Sequence, residues 1–324
     1  MKNKTTVVIP NYNGIDYLGH CLDSIMAQSL LPEIIIVDNG STDGSLEIAR
    51  DYAKRYSNIL VMEEGHNTGF CHAVNTGIQS TVTEFVLLLN NDTIAERDVV
   101  EKLQKSIMHS KRIFSVGAKL LMMNDKSHRI DSAGDLYCAL GWAFAPDKNK
   151  KSKQIKGLHS CTSNCAAAAI YRREVFNEIG YFDESHFCYL EDVDIGYRAR
   201  IYGYSNICNA DAIVFHAGSA SSGSMYNDFK QRQASANNLY FLYKNMPFSQ
   251  LIINSIFLLF GIIVKAVFFY QKGLLVPYLR GLGDGISKIS DNLSKKVPLK
   301  LSHVPNYVLL QFELWVNMVR RITG

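Results

Sequence analysis

Three signatures are missing from this 324-residue chain, and each absence removes a class of function. No G-x-G-x-x-G follows the first strand-like run. Pro10-Asn11-Tyr12-Asn13-Gly14 stands there instead, which argues against a dinucleotide oxidoreductase. The seven cysteines (21, 71, 138, 161, 165, 188 and 208) are odd in number and scattered. The one close pair, Cys161 and Cys165, has no second pair at zinc-ribbon spacing, so reduced, metal-free thiols are expected. The stretch from Met1 to Thr6 runs straight into a strand with no leader-like segment, and with the thiols this leads to a cytosolic expectation. No internal repeat or low-complexity tract is seen. A composition of 47% hydrophobic and 20% charged residues excludes disordered, collagen-like and disulfide-scaffold chains. The length suits one large α/β domain with an appendage, or two domains.

Charge is unevenly placed. Residues 231–324 hold 11 Lys/Arg and 3 Asp/Glu, a net of +8, which leaves −4 on residues 1–230. An acidic body with a basic, apolar tail argues against general nucleic-acid binding and for a tail that meets an anionic surface, most simply a membrane.

The first half alternates strand and helix patterns. Thr5–Ile9, Glu33–Val37, Asn58–Met62 and Phe85–Leu89 read as buried strands. Helical spacing falls between them, at Ile15–Met26, Leu46–Tyr56 and Cys71–Gln79. This order predicts a doubly wound, mostly parallel sheet with ligands at the carboxyl ends of its strands. The middle is less regular. Lys148–Lys153 reads as a loop, Asp192–Ile201 as a helix stopped at Gly203, and Ala212–Phe215 as a late strand.

Polar residues follow these strands. Asn90 and Asp92 share a face in extended geometry, with Asn91 turned back. Two oxygen donors at a buried strand end suit Mg²⁺ or Mn²⁺, which completes its shell with substrate phosphates. The plainer reading makes Asp92 or Thr93 the N-cap of a helix over Glu96–His109. In Glu191-Asp192-Val193-Asp194, the two aspartates lie about 200° apart on a helix and cannot serve one site. Asp194 has Arg198 at i+4, a surface ion pair, and Asp192 is left to take a proton from an attacking hydroxyl. His216 closes the late strand, where a functional and a structural histidine are both open.

Taken together, residues 7–14, 35–45, 67–70 with Asn75, 88–92, 180–184, 189–194 with Arg198, and His216 resemble the inverting family-2 glycosyltransferases, over roughly residues 5–220. Within that family the chain looks most like the rhamnosyltransferase branch. The resemblance implies a GT-A fold with a nucleotide-binding half (about 1–95) and an acceptor half (about 96–225), followed by a helical membrane-associated tail (226–324). It implies that Pro10, Tyr12 and Asp38 line the nucleoside, and that Asn67, Gly69 and Asn75 border the ribose and sugar. Asn90-Asn91-Asp92 matches the metal motif, with Asp92 as the firm Mg²⁺ or Mn²⁺ ligand, Asn90 as a weak, water-mediated or absent donor, and Asn91 among the residues that bind the nucleotide sugar. Asp192 matches the catalytic base, and His216 a histidine near the metal or diphosphate. The implied activity is transfer of a sugar, rhamnose from dTDP-rhamnose, to a glycan or polyprenyl-diphosphate-linked acceptor. The competing reading is a nucleotide-sugar-binding protein without catalysis, for which Asn90 is the one supporting feature.

Leu251–Tyr270 is long enough to span a bilayer. Asn254, Gly261, Lys265 and Lys272 nevertheless form a narrow polar stripe on it, and a single crossing would put the later lysines on the far side. A helix lying in the inner-leaflet interface is therefore expected, with a soluble dimer interface as the alternative. Tyr307–Val319 is a second amphipathic stretch that suits either role.

Overall fold

Runs such as Thr-Thr-Val-Val-Ile and Phe-Val-Leu-Leu-Leu become strands because helices cover both faces of the sheet they enter. The structure, a computed structural model, describes residues 2–218 and 226–323. Its first half is β1 (Thr5–Asn11), α1 (Leu18–Met26), β2 (Glu33–Asp38), α2 (Ser45–Arg55), β3 (Ile59–Glu63), α3 (Phe70–Ser80), β4 (Phe85–Leu89), β5 (Thr93–Ala95) and α4 (Val99–Ile107). The second half is β6 (Ile113–Met122), β7 (Ile130–Ser132), β8 (Leu136–Cys138), β9 (Trp142–Phe144), β10 (Leu158–Cys161), β11 (Ala168–Arg172), α5 (Phe176–Ile179), α6 (Glu191–Ile201) and β12 (Ser205–His216). Four tail helices follow: α7 (Asp228–Asn245), α8 (Phe248–Gln271), α9 (Leu275–Asp291) and α10 (Val304–Thr323).

The main sheet runs β10-β12-β6-β11-β4-β1-β2-β3, with β5 added to β12 and β7 to β6. Strands β4, β1, β2 and β3 are parallel. Antiparallel β11 sits between β4 and β6, so the second half is mixed. Side chains alternate between two cores with the period of two that a strand imposes. Val7, Ile9, Ile34, Ile36, Leu87 and Leu89 meet α1 and α4 on one face. Val8, Ile35, Val37, Val86 and Leu88 meet α3, α5 and α6 on the other.

Three expectations need correction. Asp92 and Thr93 cap no helix: residues 93–95 form β5 against β12, and α4 starts only at Val99. The late strand begins at Ser205, seven residues before Ala212. Its apolar pattern is broken by buried Asn206, whose carboxamide bonds Ser115 and the carbonyls of Thr162 and Gly196. Finally, Asp194 is no surface residue. It is fully buried and meets Arg198, Lys244 and Asn245.

That last contact ties the tail to the body. The Lys244 ammonium on α7 bonds both Asp183, at 2.8 Å, and Asp194, at 2.9 Å. Asp183 also accepts from Tyr240 and Lys295. Burial opposes both charges, but the cations outweigh it and hold both carboxylates far below the usual range. Around this cluster a third apolar core joins Tyr137, Val193, Tyr197 and Ile201 to Phe241, Tyr307, Leu310 and Leu314 of the tail. The boundary expected at residue 225 lies outside the described residues.

The polar stripe on α8 faces protein. Asn254 is buried in a reciprocal amide pair with Gln311 of α10, and a Cβ on Gly261 would collide with the Leu140 carbonyl. The opposite, apolar side is bare, with Ile256 79% and Leu259 60% exposed. On α10, Leu309, Phe312 and Val316 are also exposed. By length and hydropathy α8 could cross a membrane.

Replacing Lys244 by Met should leave two buried carboxylates without their shared cation, at a cost of about 3–5 kcal/mol. Urea unfolding at pH 7 measures it. Both folded pKa values lie below the unfolded one, so this stabilisation is complete above about pH 4 and fades as the pH falls below it. The gap between the two proteins should therefore narrow in acid.

Candidate active site

Strand pairing builds one end of the site. In the β5–β12 pair His216 lies opposite Thr93, which sets its imidazole beside Asp92: Nε2 is 3.4 Å from Asp92 Oδ1. The β6–β7 hairpin brings Asp131 to the other side of the ring, with Oδ2 3.0 Å from Nδ1. Burial disfavours charge on His216, but hydrogen bonds to Asp131 and Asp92 prevail and raise it to about 9. Asp131 also accepts from Lys148 at 2.6 Å. Burial opposes its charge as well, and His216 and Lys148 together hold it below the carboxylate range.

The start of α6 builds another part. Phe187, Tyr189 and Leu190 all have positive φ, between 60° and 70°, a cost of about 1–3 kcal/mol each for residues with a Cβ. Asn237 of α7 offsets it. Its Nδ2 lies 2.7–2.9 Å from the carbonyls of His186, Cys188 and Tyr189, while its Oδ1 accepts from Lys288. The loop so held delivers Glu191 and Asp192. Asp192 Oδ1 accepts from the Val193 N–H at 2.7 Å. Burial, then the neighbouring charges of Glu191 and Asp135, push the Asp192 carboxyl well above its ordinary value. Glu191 is raised by burial too, and among the described residues its Oε2 has no hydrogen-bond partner.

These parts face one cavity of about 890 Å³. Of the residues singled out from sequence, Pro10, Tyr12, Asn67, Gly69, Asn90, Asn91, Asp92, Asp192 and His216 line it. Asp38 and Asn75 do not. Asp38 is buried behind the wall, taking hydrogen bonds from Asn11 and the Ser41 N–H. The Asn75 carboxamide is engaged by Phe182 and Glu184. Asn91 is turned back, as its alternation requires, and donates to Asn11 Oδ1 at 2.7 Å. Asn11 thus links the ends of β1, β2 and β4.

Sequence reasoning passed over Asp131, Lys148, Phe229, Lys230 and Asn237. Asp131 lies 85 residues from His216, and only the β6–β7 pairing brings them together. Lys148 reads as one more residue of a lysine-rich loop. Phe229 and Lys230, from the start of α7, also line the cavity, so the tail helps to wall it.

The donor set suits a divalent cation. Asp92 offers a carboxylate, and Asp131 orients the His216 ring so that Nε2 faces the same place, as a carboxylate behind a ligating histidine does. Among the described residues no group of three or more His, Cys, Asp or Glu could hold an ion by itself. An open set fits an ion that completes its shell with phosphate oxygens and water. Among the described residues the lining carries the carboxyl groups of Asp92, Asp125, Asp131, Glu191 and Asp192 together with Lys148, Lys230 and His216. The cysteines are all free, and the Cys161 thiol bonds Asn164.

Known proteins resemble this chain in sequence and in fold. The profile described as glycosyl transferase family 2 matches residues 6–180. Glycosyltransferase GlyA of Streptococcus pneumoniae serotype 4 is 38% identical over 116 residues, 36% of this chain but 16% of that protein, so the match spans a small part of its length. The N-acetylglucosaminyl-diphospho-decaprenol L-rhamnosyltransferase of Mycobacterium tuberculosis H37Rv is 25% identical over 250 residues, 69% of this chain and 79% of that one. Among solved structures, the mannosyltransferase PcManGT of Pyrobaculum calidifontis, in complex with GDP-Man and Mn²⁺, superposes with a TM-score of 0.57 at 16% identity. The superposition covers 100% of this chain and 88% of PcManGT, a likeness of fold.

The two carboxylates around His216 make a measurable prediction. By NMR on metal-free protein the ring should titrate near pH 9. In Asp131→Asn the midpoint should fall toward the free-histidine value of about 6.5. An unchanged midpoint would show that Asp131 does not set the charge of the ring.

Proposed function

The chain belongs to glycosyl transferase family 2, and on that premise we propose that it is an inverting, metal-dependent transferase. It moves a sugar from a nucleoside diphosphate to a hydroxyl of a glycan or lipid-linked acceptor in cell-surface polysaccharide synthesis. The observation that carries this reading is a single cavity that receives Asp92 and His216 from strand ends and Asp192 from the start of α6. Such a cavity has one end for a leaving diphosphate and a separate carboxylate for an incoming hydroxyl.

Asp192 acts as the base. Burial and the neighbouring carboxylates raise its proton affinity, which suits a group that must accept a proton from an alcohol. The Val193 N–H fixes its orientation. In one displacement the acceptor oxygen bonds to the anomeric carbon, the bond from that carbon to the diphosphate oxygen breaks, and the proton passes to Asp192. Pro10 and Tyr12 border the nucleoside, and Asn67 and Gly69 the ribose and sugar. Asp38 and Asn75 act from behind the wall, where Asp38 holds Asn11 and Asn75 holds the 182–184 loop. Mg²⁺ or Mn²⁺ held by Asp92 and His216, with Asn90 alongside, would supply charge neutralisation for the departing diphosphate.

The donor best supported is dTDP-rhamnose, on the strength of the mycobacterial relative named for L-rhamnose transfer. That relative's name also specifies a decaprenol-linked acceptor, and a lipid acceptor would be presented at a membrane. We place the protein on the cytoplasmic face, with the bare sides of α8 and α10 lying in the interface. The lysines after α8 serve another purpose than binding the leaflet. Lys288 bonds Asn237, Lys295 bonds Asp183, and Lys296 bonds the carbonyls of Tyr243 and Met246.

Turnover of Asp192→Asn should fall on the order of 10²–10⁴-fold with nucleotide affinity kept. The unmodified enzyme should lose kcat/KM in acid, with a midpoint above that of an ordinary aspartate. Near-normal turnover of the variant would move the base to Glu191. Asp92→Ala should abolish the Mg²⁺ or Mn²⁺ dependence of nucleoside diphosphate binding by calorimetry, and an unchanged dependence would place the ion elsewhere.

The membrane placement is tested by vesicle flotation. Ile256→Glu with Phe312→Glu should release the protein from vesicles, while neutralising Lys288 should not. Retention of the double variant on vesicles would remove α8 and α10 from the interface.

A further inference from the structure

The tail encloses a second cavity, of about 180 Å³, between α7, α8, α9 and the β8–β9 hairpin. Most of its wall is apolar, with Leu239, Leu258, Ile262 and Leu282. Among the described residues, Lys265 is its one basic residue and no acidic residue lines it. The ammonium sits 5.9 Å from the centre of the Trp142 ring. Among the described residues no hydrogen-bond or ion-pair partner is found for it. Asn238, on the same wall, spends its carbonyl oxygen on Tyr137 and keeps its NH₂ as a second donor. An unpaired ammonium in an apolar recess is unfavourable until an anion joins it.

Two further facts fix what that anion carries. Leu258 and Ile262 face this cavity, while their neighbours Leu259 and Ile263 are exposed on the bare side of α8. One helix width therefore separates the cavity from the apolar exterior. On the inner side Leu190 lines both this cavity and the main one, directly before Glu191 and Asp192.

We propose that this cavity binds the phosphate end of the acceptor's lipid, a long apolar chain terminating in phosphate, with Lys265 and Asn238 on the phosphate and the chain leaving along α8. The inference rests on the lipid-linked acceptor of the preceding section. A lipid phosphate held here leaves the sugar attached to it beside Leu190, within the reach of the base. The nucleotide and metal proposed above are assigned to the main cavity, so this cavity can be tested without them.

The test uses full-length protein in detergent micelles with Trp315→Phe, which leaves Trp142 as the single tryptophan of the two in the chain. Farnesyl phosphate should change Trp142 emission saturably, and farnesol should need at least tenfold more. Phosphatidylglycerol in the micelles should not compete. Lys265→Gln should weaken the phosphate response at least tenfold and leave the farnesol response as it was. Ala234→Phe, which fills the cavity from α7 and keeps the charge, should remove both. Equal responses to phosphate and alcohol, or indifference to Lys265→Gln, would overturn the proposal. Equal competition by phosphatidylglycerol would overturn it in favour of a bulk-lipid site. Because the titration contains no nucleotide, it reads the cavity alone. Failure to bind nucleoside diphosphate, in a separate calorimetric run, counts instead against the transferase.

Discussion

The structure depends on one buried ammonium. Lys244 reaches from α7 into the body and answers two carboxylates at once, Asp183 from the loop before α6 and Asp194 from α6 itself. Without it two negative charges would lie close together in a setting that water barely reaches. With it, α6 is fixed between the sheet on one side and the tail on the other. Asp194 is completed by Arg198 and Asn245, and Arg198 extends the cluster to the carbonyls of residues 179–181. Such a cluster specifies a geometry more than it adds net stability, since every ion in it loses hydration to form it.

The consequence reaches the cavity directly. Asp192 and Asp194 share one short helix but face opposite ways, so anchoring one aims the other. Asn237, two turns before Lys244 on α7, holds the strained loop that precedes Asp192. The tail is thus the outer half of the support for a proposed catalytic carboxylate. Phe229 and Lys230, which line the cavity, belong to the same helix. The bare apolar sides of α8 and α10, the proposed membrane face, and the proposed base on α6 are then parts of one packed unit, joined by the third apolar core.

How much of this could be read from the chain follows from the range of each interaction. The parallel half was legible because β1, β2 and β4 are short apolar runs bounded by turn residues, and their polar ends mark one edge of the sheet. Asp92 and His216 stood out because each follows a strand-like run, and Asp192 because it opens a helix among three acidic residues in four; all three line the cavity. Strand β6 was passed over because Ser115 and Lys119 interrupt its apolar residues, and both are buried there only by partners distant in sequence, Asn206 and the carbonyls of Ser152 and Ile155. The start of β12 was hidden by asparagines that are satisfied only by partners distant in sequence. Asp131, Asn237 and Lys244 were illegible because each acts through a contact across 48 or more residues, and nothing local distinguishes them from surface polar residues. The stripe on α8 was seen and an outward apolar side was expected, but not the partner its polar side meets, Gln311 of α10. Polar and small residues there face a neighbouring helix, and the apolar majority faces out.

The proposed chemistry comes down to a single displacement, because the cavity offers a base to the acceptor and a separate, cation-suited end to the leaving group. No covalent sugar–protein intermediate enters it. The anomeric configuration of the product tests this most directly. Proton and carbon NMR of the purified glycoside, compared with the nucleotide-sugar donor, should show the opposite configuration at the transferred anomeric carbon. Retention of the donor's configuration would contradict the single displacement and the role assigned to Asp192.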